Sequence, residues 1–198
     1  MERSGVERPG DRSGWIGVAA LGVAAVALGV APLTLDDSYS WIEHTTSESG
    51  AQGVRHGWVA RTGFVGFGLA VFWISARRAR VWRTPATVLH RIFATAMIAV
   101  AAFSTEPWVE DVPFDETENT LHSIAATVMG FAFAFGVTAV AASRQPVRWR
   151  VIDLIAVASS VVLPLAMARF GSVDGVLQRA MFVVAFVWYG GESIQRDR

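Results

Sequence analysis

The chain has 198 residues, 53% of them hydrophobic and only 17% charged, and its 17 basic residues, all arginine, balance 17 acids to a net charge of zero. A soluble domain of ordinary composition carries about 25% charged residues, so the deficit points to a membrane protein. Without lysine or cysteine, the chain has no retinal or pyridoxal Schiff base, no Walker-type phosphate lysine, no disulfide, no thiolate-metal centre, no thioether-linked haem and no cysteine nucleophile.

Residues 1–13, rich in Arg, Glu, Gly and Ser, read as a disordered tail. Six apolar runs follow, at 15–35, 58–76, 86–105, 121–142, 151–168 and 176–192. Each is near the roughly 20 residues that cover about 30 Å of hydrocarbon at about 1.5 Å per residue. Unpaired backbone amides are not tolerated in lipid, and the runs are too long and too uniformly apolar for barrel strands, so they are expected to be helices. The first exceeds the roughly 7–15 residue core of a signal peptide and is followed by no convincing small-x-small cleavage site. The expected fold is therefore an all-α, polytopic bundle of six transmembrane helices over 14–193, with residues 194–198 as a second tail.

The charges between the runs alternate in sign. Arg3, Arg8 and Arg12 precede the first run; Arg77, Arg78, Arg80 and Arg83 separate the second and third; Arg144, Arg148 and Arg150 separate the fourth and fifth; Arg196 and Arg198 close the chain. The intervening connections hold Asp36, Asp37, Glu43, Glu48, Glu106, Glu110, Asp111, Asp115, Glu116, Glu118 and Asp174, with Arg55 the one loop arginine among them. Arginine-rich short loops stay in the cytoplasm, so six crossings put both termini there, in the plasma membrane. These arginines read as topology determinants that also contact anionic lipid.

The longest connection, 36–57, contains Trp41-Ile42-Glu43-His44-Thr45-Thr46-Ser47-Glu48-Ser49-Gly50. A short surface helix over 39–49 would be anchored by Trp41 and Ile42 and would put His44 and Glu48 on one face; a solvated loop is the alternative. In the fourth run, the step of four from His122 through Ala126, Gly130, Ala134, Thr138 and Ala142 is a stripe of small residues suited to close helix packing, with Phe131, Phe133 and Phe135 mostly on other faces. His122 is expected to point into the bundle.

The stretch His44 to Ala51, Trp58, Gly63-Phe64, Gly66 and Gly68, then Leu121-His122, and Gly175-Val176-Leu177-Gln178-Arg179 with Trp188 together resemble the bacterial and archaeal membrane family known as domain of unknown function 998. Ser49 stands where that family commonly has leucine. The resemblance covers nearly the whole chain and implies a six-helix bundle without an established activity.

Ionisable groups near the membrane are costly unless paired or facing water. Arg61, Glu106, His122, Arg169, Gln178 and Arg179, all near the outer helix ends, are therefore the candidate ligand-binding cluster, rimmed by Trp41, Trp58 and Trp108. The alternative is structural, with Arg61, Arg169 and Arg179 paired to Glu48, Glu106 and Asp174. For an enzyme, a hydrolase or transferase would draw on His44, Ser47, Glu48 and His122, yet no His-Glu-x-x-His or Gly-x-Ser-x-Gly is present. Asp153 and His90 form no recognisable site. No metal or cofactor is expected; the expected partners are the lipid bilayer, a lipid or small-molecule ligand, and a homo-oligomer or protein partner, with no nucleic acid. A small transporter is a further alternative, for which the two halves show no convincing repeat.

Overall fold

The computed structural model describes residues 10–109, 112–144 and 146–195, with side chains from Ser13 onward. The described residues form five α-helices and no strand: α1 (Gly10–Val30), α2 (Trp58–Ala102), α3 (Glu116–Ser143), α4 (Val151–Met167) and α5 (Asp174–Ile194), with 3-10 turns at Ala31–Thr34, Glu48–Gly50 and Gly171–Val173. Four helical segments are long and apolar enough to cross a membrane, namely Ser13–Thr34, Trp58–Ala102, Glu116–Ser143 and Gly171–Ile194, and Val151–Met167 is a shorter apolar helix. The chain is a multi-pass membrane protein.

The N-terminal tail expected over 1–13 lies outside the described residues as far as residue 9; Gly10–Ser13 belong to α1. Of the C-terminal tail, 196–198 lie outside the described residues, while Ile194 ends α5 and Gln195 caps it. Glu110 and Asp111 lie outside them too.

The largest departure from expectation is α2, which takes up the second and third apolar runs and most of the arginine loop between them. Its 45 residues contain a single non-helical residue, Arg83, at φ 62° and ψ 171°. Ala76 to Trp82 hold no glycine or proline, so nothing there stops the helix. The break comes just before Pro85, whose missing N–H is harmless in the first turn of the second arm. The two arms lie side by side: Phe67 meets Phe93 edge-on at 5.6 Å, and a Cβ at Gly68 would sit 2.8 Å from the Ala94 carbonyl. Both outer ends of α2 also reach one loop, where the Gln52 amide donates to the Thr105 carbonyl at 3.0 Å and Arg61 binds the Gly50 carbonyl at 2.9 Å.

α3 packs against α2 and α4, while α1 and α4 both pack against α5. The core is aromatic, with Phe67 touching Phe182, Phe186 and Tyr189 of α5, and Phe133 touching Trp188 and Tyr189. Phe133 is thus a core residue. The buried face of α3 runs through His122, Ala132, Phe133, Gly136, Val137, Val140 and Ala141, an alternation of three and four. The step-four stripe instead drifts off that face by about 40° per step, and Gly130 has open space where its Cβ would be. Among the described residues, contacts between helix ends sort them into two groups. One gathers the 36–57 loop with residues near 61, 104, 122 and 179. The other gathers Gly14, Arg78, Arg144, Arg150 and Glu192.

Candidate anion-binding site

At the loop end, of the two readings of 39–49 the loop holds and the surface helix does not. The segment is a series of turns closed by the Glu48–Gly50 turn. Thr45 and Glu48 cap it reciprocally, the Thr45 amide donating to Glu48 Oε2 at 2.6 Å and the Glu48 amide to Thr45 Oγ1 at 3.1 Å, which is the Thr-x-x-Glu box. The loop is fastened to the helices by the residues expected to bind a ligand. Arg179 donates to the Trp41 and His44 carbonyls at 2.8 and 2.9 Å and to the Tyr39 hydroxyl at 2.7 Å, with its guanidinium 4.8 Å over the Trp41 ring. Gln178 accepts from the Ser47 amide at 3.1 Å. A Cβ at Gly175 would collide with the His44 and Trp41 carbonyls, so only glycine lets the loop lie on α5. Burial raises the Tyr39 pKa, and the adjacent Arg179 charge offsets part of that rise.

Arg61 donates to the Gly50 and Ala51 carbonyls at 2.9 and 3.0 Å. His122 is buried and its Nδ1 donates to the Phe103 carbonyl at 2.8 Å, tying α3 to the end of α2. Glu106 and Arg169 are exposed, the latter stacked 5.6 Å over Phe170. Trp58 is exposed, while Trp108 packs on Tyr39 and His44. None of the ion pairs among the described residues involves Arg61, Arg169 or Arg179; these arginines bind backbone carbonyls, a ring and a hydroxyl instead of the acids. Likewise, no hydrogen bond among the described residues joins His44, Ser47 and His122. His44 Nδ1 accepts from the Ser40 amide at 2.8 Å.

Sequence reasoning passed over the opposite end. Asp153 and Glu192 are 0% and 1% exposed and form the centre of a five-residue ion network. Asp153 occupies the third position of α4 and accepts from the Arg150 backbone amide at 2.8 Å, a helix-capping contact. It also accepts from Arg150 Nη2 at 2.9 Å, from Arg144, and from the Trp188 indole at 2.9 Å. Glu192 accepts from the Trp82 indole at 2.8 Å, from Arg144 Nη2 at 3.2 Å and from Arg150, and Arg78 lies 3.8 Å from it. Arg150 and Arg144 therefore each bridge both carboxylates. Burial works against the charge on Arg150, and the two carboxylates more than offset this, raising its pKa above the ordinary guanidinium value.

Behind the acids, His90 is fully buried between Trp82 and Trp188, with ring centroids 4.5 and 4.9 Å away, and its Nδ1 lies 2.8 Å from the Tyr189 hydroxyl. A Cβ at Gly136 would stand 2.7 Å from this imidazole. Asp153 and His90, set aside in the sequence, are thus built into one assembly: the two tryptophans that enclose His90 are the two whose indoles hold the acids.

A cavity of about 1090 Å³ is lined by Arg78, Arg80, Arg144, Arg148, Arg150 and Glu192. Among the described residues, five arginines gather at this end around the carboxylates of Asp153 and Glu192. Arg80 and Arg148 form no ion pair among the described residues and are exposed. Guanidinium groups present planar forks suited to carboxylate or phosphate, so the arrangement suits an anion. A signal for it was present in the sequence: Asp153 and Glu192 are the only acids from Gly14 to Gln195 that six crossings place on the arginine side. A single acid in an apolar run draws little notice, and 42 residues of the chain separate Arg150 from Glu192.

The family model described as Protein of unknown function (DUF998) matches residues 18–191. No curated protein and no solved structure matches the chain.

Proposed function

Since the chain belongs to the DUF998 family, whose description names no activity, we propose a function from its own geometry: a six-crossing plasma-membrane protein that binds an anionic ligand in the arginine-lined cavity at its cytoplasmic end, without catalysing a reaction on it. The break at Arg83 and the side-by-side arms of α2 support two crossings in that helix. The 17 residues of α4 cover about 25 Å, enough for a crossing. The proximity of Gly14 and Ser193, whose hydroxyl donates to the Gly14 carbonyl at 2.7 Å, supports both termini on one side, and the arginine bias supports the cytoplasm as that side. The observation that carries the ligand reading is that Arg80 and Arg148, which form no ion pair among the described residues, line a cavity of about 1090 Å³.

The test is the thermal stability of the detergent-purified protein in phosphate against chloride at matched ionic strength. Phosphate is expected to raise Tm, and Arg80→Gln with Arg148→Gln to abolish the rise; no phosphate-specific rise in the parent protein sinks the reading.

An outward-facing ligand pocket retains one supporting observation, since Thr46 Oγ1 and Asp174 Oδ1 are buried without hydrogen-bond partners. A ligand there would have to displace the 36–57 loop, and Arg179→Ala should then increase its binding. A hydrolase or transferase would need His44, Ser47, Glu48 and His122 to converge, whereas each is engaged with a different group.

A further inference from the structure

The segment that closes the arginine cavity, Pro146 to Val151, alternates in character. Residues 147–150 are neither helical nor paired in a sheet, and in an extended chain successive side chains point to opposite faces. Arg148 and Arg150 line the cavity, while Val147, Trp149 and Val151 are 63%, 41% and 74% exposed. Three exposed apolar side chains, one of them tryptophan, therefore flank the two arginines of this segment that line the cavity. Tryptophan at a helix end settles at the headgroup level of a bilayer, and Val151 opens α4, so this segment stands where lipid headgroups lie. The cavity lining also includes Val81, Val140 and Ile194, an apolar strip beside the guanidinium groups that a free inorganic anion would not use.

Resting on the anion reading above, we propose that the cavity takes the headgroup of a phosphorylated lipid, a phosphate monoester on a diacyl backbone, drawn from the surrounding leaflet past Trp149. A phosphate monoester carries about −1.5 to −2 charge near neutral pH, against about −1 for a phosphodiester headgroup, and so better matches the two charges of Arg80 and Arg148, which line the cavity and form no ion pair among the described residues. Arg80 and Arg148 meet the phosphate, Arg78, Arg144 and Arg150 are held in place by Asp153 and Glu192, and the apolar strip borders the glycerol and first methylenes. The buried acids keep the inner arginines preorganised, so that less ordering is left to binding.

The experiment is native mass spectrometry of the full-length protein in detergent, titrated with phosphatidic acid, phosphatidylglycerol or phosphatidylcholine, with the phosphate Tm shift measured alongside. Phosphatidic acid is expected to be retained at one equivalent, at least tenfold more tightly than phosphatidylglycerol. Arg80→Gln with Arg148→Gln, both exposed positions, should erase that preference; Trp149→Ser should weaken lipid retention while leaving the phosphate shift intact. Equal retention of phosphatidic acid and phosphatidylglycerol, or an undiminished preference in the arginine double variant, overturns the proposal. If the phosphate shift persists under either of those outcomes, the anion site stands with a soluble ligand; if the shift is absent too, both readings fall.

Discussion

Glu192 is held by two arginines and an indole with a third arginine nearby, in an environment where it is 1% exposed. Buried ion pairs add little net stability over a well-packed apolar alternative, but removing one partner strands the others and costs about 3–5 kcal/mol. Glu192→Gln, which keeps the shape and removes the charge, is therefore expected to lower stability by that amount in detergent thermal unfolding. A loss below about 1 kcal/mol would show that water already screens the network. Gly136 lies one layer further in, against His90. Gly136→Val should cost about 1–3 kcal/mol through overpacking, and because the two residues are in contact, His90→Ala should recover part of the loss. Strict additivity in that double variant would contradict the contact.

At the scale of the helix, Arg83 is the place where α2 turns back. A non-glycine residue at positive φ costs about 1–3 kcal/mol when the surroundings enforce it, and here the sequence offers arginine where glycine would fit. Comparing Arg83→Gly with Arg83→Ala removes the side chain in both cases and isolates the backbone. If the turn is as described, the glycine variant is the more stable by about 1 kcal/mol in chemical unfolding. If α2 ran straight through, alanine would win by about 0.5–1 kcal/mol. The same element shows what sequence periodicity conveys and what it does not. Apolar length located the helical segments to within a few residues at Val151, Met167 and Glu192, because burial in lipid requires it. Charge alone predicts a loop at the arginine run, yet arginine is a good helix former, and only Pro85 with the residues before it marks the turn. His122 was correctly expected to face the bundle. Its partner, the Phe103 carbonyl, was not readable, since backbone acceptors leave no trace in a sequence.

For the whole molecule, the chain without cysteine invites a direct test of sidedness. Asp37 is exposed in the loop-end connection and Val147 at the arginine end. In intact cells a membrane-impermeant maleimide should label Asp37→Cys and spare Val147→Cys until the membrane is opened; the reverse pattern, or equal labelling of both before opening, contradicts six crossings with cytoplasmic ends. In the sequence, the ionisable residues of the loop end stand outside any account by topology, whereas the arginines of the positive side are accounted for by it. A residue that sets orientation is also free to bind, and the two carboxylates buried among those arginines, rather than the arginines themselves, mark the difference.

The clasp between Ser193 and Gly14 bears on how the protein is made. Ser193 also abuts Gly17, where a Cβ would strike its side chain, so the first helix seats against the last turn of the last. During synthesis α1 precedes both helices it packs against, α2 and α5, and its seat on α5 exists only once Glu192 and Ser193 have been made. Glu192, which joins Asp153 in binding Arg144 and Arg150 and lies beside Arg78, is delivered by that same turn. Closure of the bundle and completion of its two-acid network thus depend on the same turn, and a nascent chain halted before it would present both an unseated helix and a network with Asp153 as its one acid.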